Sequence, residues 1–161
     1  GHDYLQLFEG SPEFDKVQRF AARVYDLSQY LDEILQVNYE DKGEKIKVAW
    51  HSNCHALRVA KSVEVSKNLI RKFANVELLE LEHEEECCGF GGTFAIKEND
   101  ISNAMALAKI DDIKKTGANY LISGDGGCLL NISGTMKRNG VDIKCLHLYD
   151  FLIKRLEGAP L

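Results

Sequence analysis

Apolar and polar positions alternate along this chain with two different periods. Phe14, Val17, Ala21, Val24, Leu31 and Leu35 recur at helical spacing. Ser11-Pro12-Glu13 precedes them and reads as a helix start, with serine as cap, proline at the first helical position and an acid in the first turn. A break at 26–28 would divide the stripe into two helices, and the apolar face is expected to pack on the chain's own core. Residues 38–45 are polar, contain Gly43 and read as a linker. After it a short β-like run and a helical run take turns. The β-like runs fall at 45–50, 76–81, 120–123 and 141–146. The helical patterns are Ala56, Ala60, Val63, Ile70 and Phe73; then 100–115, ending near Gly117; then a short helix through Met136; and finally 149–156.

Strands that alternate with helices predict an α/β fold with a parallel sheet, because parallel neighbours need long crossovers. The expected architecture is a sheet of about four strands with helices on both faces, Rossmann-like, preceded by an N-terminal helical segment. The expected division is residues 1–40 for that segment and 41–161 for the α/β domain. In such sheets ligands gather at the loops leaving the carboxyl ends of the strands.

The length of 161 residues suits one domain with a real core. A net charge of −5 leaves no basic footprint for nucleic acid. No apolar run approaches the roughly 20 residues of a membrane span, and no export signal opens the chain. A cytoplasmic protein is expected, peripheral to a membrane only through partners. In that setting five irregularly spaced cysteines point to metal or redox chemistry rather than to a disulfide framework.

Four of the five fall at predicted strand ends: Cys54 after the first, Cys87 and Cys88 after the second, Cys128 after the third. Cys87-Cys88 opens a loop with Gly89, Gly91 and Gly92, where backbone freedom lets both sulfurs turn to one side. Four thiolates would suit one tetrahedral zinc or an iron–sulfur cluster. No Cys-x-x-Cys knuckle is present, and adjacent cysteines suit a cluster in which each sulfur takes its own iron. The glycines would let amides approach the cluster. Buried free cysteines, a strained Cys87–Cys88 disulfide and a thiol–disulfide enzyme are the alternatives.

Histidines flank this set. His51 and His55 bracket Cys54, and His55 reads equally as a group near the metal or as a helix-start residue. His147 lies past the fourth strand, at the same sheet edge. His83 lies in the acidic run 83–86, read as a solvated loop. Cys145 sits within the fourth strand among apolar residues and reads as core. No Gly-x-Ser-x-Gly or His-Glu-x-x-His motif supplies hydrolytic chemistry.

Three stretches carry a resemblance: Trp50-His51-Ser52-Asn53-Cys54-His55, Glu86-Cys87-Cys88-Gly89-Phe90-Gly91-Gly92-Thr93-Phe94, and Ser123-Gly124-Asp125-Gly126-Gly127-Cys128-Leu129. In order and spacing the chain resembles the cysteine-rich CCG domain family. That domain occurs in heterodisulfide reductases and in the iron–sulfur subunits of glycolate and lactate oxidation systems, and the likeness is to a second, C-terminal half. The resemblance implies a 4Fe-4S cluster on Cys54, Cys87, Cys88 and Cys128, with His55, Gly89, Gly91, Gly92, Asp125 and His147 around it. It also implies electron transfer during oxidation of L-lactate or another 2-hydroxy acid. The implied partners are the other subunits of such a complex and a first cysteine-rich half absent from this chain. The chain would carry electrons without catalysing the organic step itself. The family pattern ends in Cys-x-x-Cys, whereas this chain has Asp125 at the first of those positions. Asp125 therefore reads as a weak oxygen ligand or as a turn residue bonded to its own backbone, and zinc stays open beside the cluster.

Overall fold

A computed structural model describes residues 2–161, with only the main chain of His2. Four parallel strands form one sheet in the order β2-β1-β3-β4. They are β1 (Ile46–Trp50), β2 (Val76–Leu79), β3 (Tyr120–Ser123) and β4 (Lys144–His147). Register runs from Ile46 beside Val76 on one side of β1 and from Val48 beside Tyr120 on the other. Tyr120 in turn pairs with Lys144.

Successive side chains of a strand face opposite ways, and the core divides accordingly. Ala49 and Leu121 point into one layer, with α6 (Asn99–Thr116) and α7 (Gly126–Arg138) supplying Ile110, Ile113, Leu129 and Ile132. Val48, Trp50 and Ile122 point into the other. There α4 (Val63–Arg71) and α8 (Leu148–Glu157) supply Leu69, Ile70, Phe151 and Leu152. The α/β reading, with helices on both faces, holds. The chain leaves β1 toward β2 and leaves β3 toward β4, so the winding reverses between β1 and β3. That switch point is where an open α/β sheet presents a crevice.

Local differences from the sequence reading have physical causes. The helical pattern after the first strand divides into a π-helical turn, Ala56–Ala60, and α4. The division falls at Lys61, whose φ of +55° takes it out of the helical region. Ser11 does not cap a helix. Its carbonyl accepts from Phe14 N at 3.1 Å in a turn, and α2 (Phe14–Ala21) begins after it. The lead-in is itself helical, α1 (His2–Leu7).

The N-terminal stripe does not pack on the main core as expected. No residue of α2 is buried, and Phe20, Val24 and Leu35 are exposed. α1 and α2 pack on each other instead, with Tyr4 edge-on to Phe20 at 6.1 Å. The break at 22–26 re-aims the chain before α3 (Leu27–Gln29), which Asp26 opens with a capping box to Gln29. From there contact with the body begins. Ser28 is buried, its Oγ 3.1 Å from both Tyr149 Oη and Ser66 Oγ, and Leu31 in the π-helical turn Tyr30–Ile34 packs on the second core layer.

Candidate metal centre

The centre is built at the carboxyl edge of the sheet. His51 is the first residue past β1; its N–H donates to Ile122 O at 2.9 Å, and its carbonyl accepts from Ser123 Oγ at 2.9 Å. These bonds fix the residue at the switch point. The residue is 1% exposed, neither ring nitrogen makes a hydrogen bond of good geometry, and the ring lies beside the Cys88 and Cys128 sulfurs. One ring nitrogen of His51, the sulfur of Cys88 and the sulfur of Cys128 all lie within 4.8 Å of one another, and all three residues are buried. An orphaned imidazole costs free energy unless something occupies its lone pair. A nitrogen and two sulfurs at that separation are the donors that borderline and soft metals take.

Each cysteine is held by its own local structure. Cys128 lies in the first turn of α7, where Asp125 caps the helix and its carboxylate accepts from Cys128 N at 2.8 Å. Cys88 is anchored through its carbonyl, which accepts from Asn131 Nδ2 at 2.9 Å. Gly89 follows at φ +81°, and a Cβ there would stand 2.6 Å from Ser102 O; the turn against α6 therefore requires glycine. Gly91 and Gly92 also have positive φ, and the short helix α5 (Phe94–Lys97) follows them. Cys87 is exposed, and its sulfur accepts from Gly89 N at 3.4 Å. Cys54 is exposed on the turn after β1, where Asn53 Oδ1 accepts from Ala56 N at 2.8 Å.

All five cysteines are free thiols. The four at strand ends divide into a buried pair, Cys88 and Cys128, and an exposed pair, Cys54 and Cys87. The exposed pair stands outside the compact group with His51. The electrostatics are unequal. The Cys128 thiol, the His51 ring and the Phe90 amide outweigh burial and bring Cys88 down to about 4. Cys128 is pushed far above the thiol range by Cys88, by burial and by the Asp125 carboxylate. Cys87 is raised by burial and by the neighbouring Cys88 and Cys54. The two buried thiols are thus unequal, Cys88 the more acidic and Cys128 the less.

The surrounding residues take defined places. Asp125 is a helix cap, with its Oδ1 committed to a backbone amide. His147 caps α8, accepting from Tyr149 N through Nδ1 at 3.4 Å, while Nε2 lies 3.1 Å from Gly124 O. His55 is exposed and makes no side-chain cap. It lines, with Asn53, Asp125 and Tyr149, a small cavity of about 130 Å³ beside the centre. Cys145 is half-buried against the first core layer, its sulfur 3.8 Å from Met136 Sδ. Burial pushes its thiol up to about 11.

The acidic run is not wholly solvated, which corrects the sequence reading. Glu84 is drawn in by the buried Lys67, whose ammonium lies 2.6 Å from Glu84 and 2.6 Å from Glu80. Ser52 Oγ donates to Glu84 and accepts from the Trp50 indole at 2.9 Å. This network braces the residue next to His51. His51 is the site residue that the sequence reading passed over as a metal donor. Its signal was the alternation of β1, since the residue two past Ala49 shares its face, and that face holds Cys88 and Cys128.

A parallel α/β domain with thiols and an unpartnered imidazole at its switch point is, in class, a cysteine-rich domain with a donor set fit for a metal. The chain belongs to the cysteine-rich CCG domain family, whose model matches residues 48–133. It is similar to proteins named Lactate utilization protein A. That of Oceanobacillus iheyensis is 36% identical over 158 residues, which is 98% of this chain and 65% of the relative. That of Halalkalibacterium halodurans is 37% identical over 152 residues, 94% of this chain and 62% of the relative. That of Shouchella clausii is 39% identical over 153 residues, 93% of this chain and 63% of the relative. The chain thus spans less than two thirds of the length of these curated relatives. Among the described residues no helix is long and apolar enough to cross a membrane.

Proposed function

We propose that this chain is the cysteine-rich part of a lactate-utilisation protein, and that Cys54, Cys87, Cys88 and Cys128 hold one iron–sulfur cluster, most simply 4Fe-4S. In this reading residues 41–161 carry the centre and residues 1–40 form an accessory helical segment. The chain relays electrons taken from L-lactate, or from a similar 2-hydroxy acid such as glycolate, and other subunits perform the organic oxidation. The names of the relatives support the substrate class. The observation that carries the metal centre is the buried imidazole of His51, unpartnered and within 4.8 Å of two thiols at the switch point.

When bound, such a cluster supplies one-electron redox capacity. The chain's own residues do the rest. Cys88 and Cys128 offer donors shielded from water, and Cys54 and Cys87 offer donors at the surface. The Gly89 amide polarises the Cys87 sulfur. Asp125 and Asn131 hold the main chain of the two buried cysteines in place.

Zinc in a structural or interaction module is the second reading. The compact group of His51, Cys88 and Cys128 favours it, since imidazole and thiolate are both zinc ligands. Anaerobic purification with metal and sulfide analysis separates the two. Iron and inorganic sulfide, with visible absorbance that bleaches on adding dithionite, are the expected result. Colourless protein containing one zinc per chain would overturn the cluster.

A further inference from the structure

The fourteen large apolar side chains exposed among the described residues are unevenly spread, and nine of them lie between Tyr4 and Leu35. Val59, exposed on the π-helical turn after Cys54, lines one groove with Val24 and Tyr25. That groove holds about 750 Å³ and reaches from α1 and the end of α2 to His55. His55 follows Cys54 in the chain and also borders the small cavity beside the metal centre. The apolar face therefore runs up to the centre on the side of the exposed Cys54 thiol. The turn before Cys87 is different. Lys109, 1% exposed, and the buried Asp112 grip its main chain, and the exposed residues there include Glu82, Glu85 and Glu86. That flank offers charge without an apolar anchor. A contiguous exposed apolar face marks a place where another surface belongs.

Charge narrows what fits. Residues 1–40 carry eight acidic and three basic side chains, so the whole net charge of −5 resides in them. A second copy would set this acidic segment against itself, and an anionic surface would be repelled. The complementary face is apolar at its centre and basic at its rim. Its source follows from length. The family model begins at residue 48, yet the Oceanobacillus iheyensis relative matches 98% of this chain and so includes the helical segment. More than a third of that relative lies outside the match.

We propose that the groove between the N-terminal helices and the turn Ala56–Ala60 is a docking surface. Its occupant is the polypeptide that makes up the rest of the relatives' length, which meets it with an apolar face rimmed by lysine and arginine. Docking there shields the Cys54 side of the metal centre from water. The proposal rests on the chain's place in a lactate-utilisation protein and not on which metal is native.

A chimera tests it: this chain joined, in the relative's own order, to the part of the Oceanobacillus iheyensis protein outside the match. The photo-cross-linker p-benzoylphenylalanine in place of Tyr25 should attach to the added part, and in place of Ile153, exposed on α8, it should not. Val59→Asp should cut the yield from position 25 about tenfold, the effect of losing an anchor inside an interface. Added salt should lower it as well, since charges at a rim are screened. The unfolding midpoint of the chimera should exceed that of the chain alone, because a docked partner stabilises the folded form. No cross-link from position 25, equal cross-linking from position 153, or a midpoint no higher than that of the chain alone would overturn the proposal. Sedimentation of the chain by itself should show a monomer. A dimer that Val24→Asp dissolves would make a second copy the occupant and overturn the proposal too. Anaerobic protein lacking iron and sulfide would overturn only the cluster.

Discussion

His51 shows how one side chain can be poorly served by the protein's own groups and suited to a ligand. Its two ring nitrogens are buried without a hydrogen bond of good geometry, beside the Cys88 and Cys128 sulfurs, and a desolvated polar group so placed costs of the order of 1–3 kcal/mol. His51→Leu removes that cost along with a donor. It should therefore leave the metal-free protein as stable as the wild type or more so, while metal retained after gel filtration falls. Within the same experiment Cys128→Ser should lose the metal, and Cys145→Ser should keep it at a small packing cost. Equal loss in both serine variants would refute the assignment. The placing of the four cysteines just past strand ends was legible, because a thiol that follows a β-like run announces itself. His51 was not, because a histidine beside a cysteine has many bland uses, and only the buried turn and the face it shares with Ala49 single it out.

At the scale of elements, α7 links fold and site most directly. Asp125 caps it through the amide of Cys128, so the start of the helix and the place of the sulfur are one structural fact. Asp125→Ala should cost about 1 kcal/mol, the usual worth of such a cap, read as a lower denaturant midpoint with an unchanged slope. Strands and helices of the α/β part followed from their two periods, because both faces of the sheet are covered and the apolar pattern reports burial there. The N-terminal helices did not follow. Phe20 and Val24 keep helical spacing, but the turn between α2 and α3 points them away from the body, and spacing cannot show which neighbour a stripe meets. Lys61 was likewise hidden, since its left-handed backbone interrupts an otherwise regular apolar pattern.

Across the whole molecule, a buried ion pair joins the linker before β1 to the last helix. Asp41 and Arg155 are in contact, and Arg155 Nη1 also donates to Glu44 O at 2.9 Å. Gly43 packs so closely on the guanidinium that a Cβ would overlap it at 1.8 Å. Asp41→Asn leaves Arg155 buried without its charge partner and should cost about 3 kcal/mol. Burial acts to raise the Asp41 carboxyl, but Arg155 and the amides of Gly43 and Asn75 more than offset it, so it is held below its usual value. The stabilisation is therefore complete above the unfolded carboxylate value of about 3.9 and is lost as pH falls through the lower folded value. Thermal unfolding followed from neutrality into acid should show Asp41→Asn losing less stability than the wild type over that window. Nothing in the sequence pairs residues this far apart, so this contact was not legible there. The clamp on the turn before Cys87 has a different consequence. Lys109 and Asp112 grip main-chain atoms only, while the side chains of Glu82, Glu85 and Glu86 face water. The outer rim can therefore be rewritten in charge, through mutation or through drift between species, while the thiols beneath it keep their places.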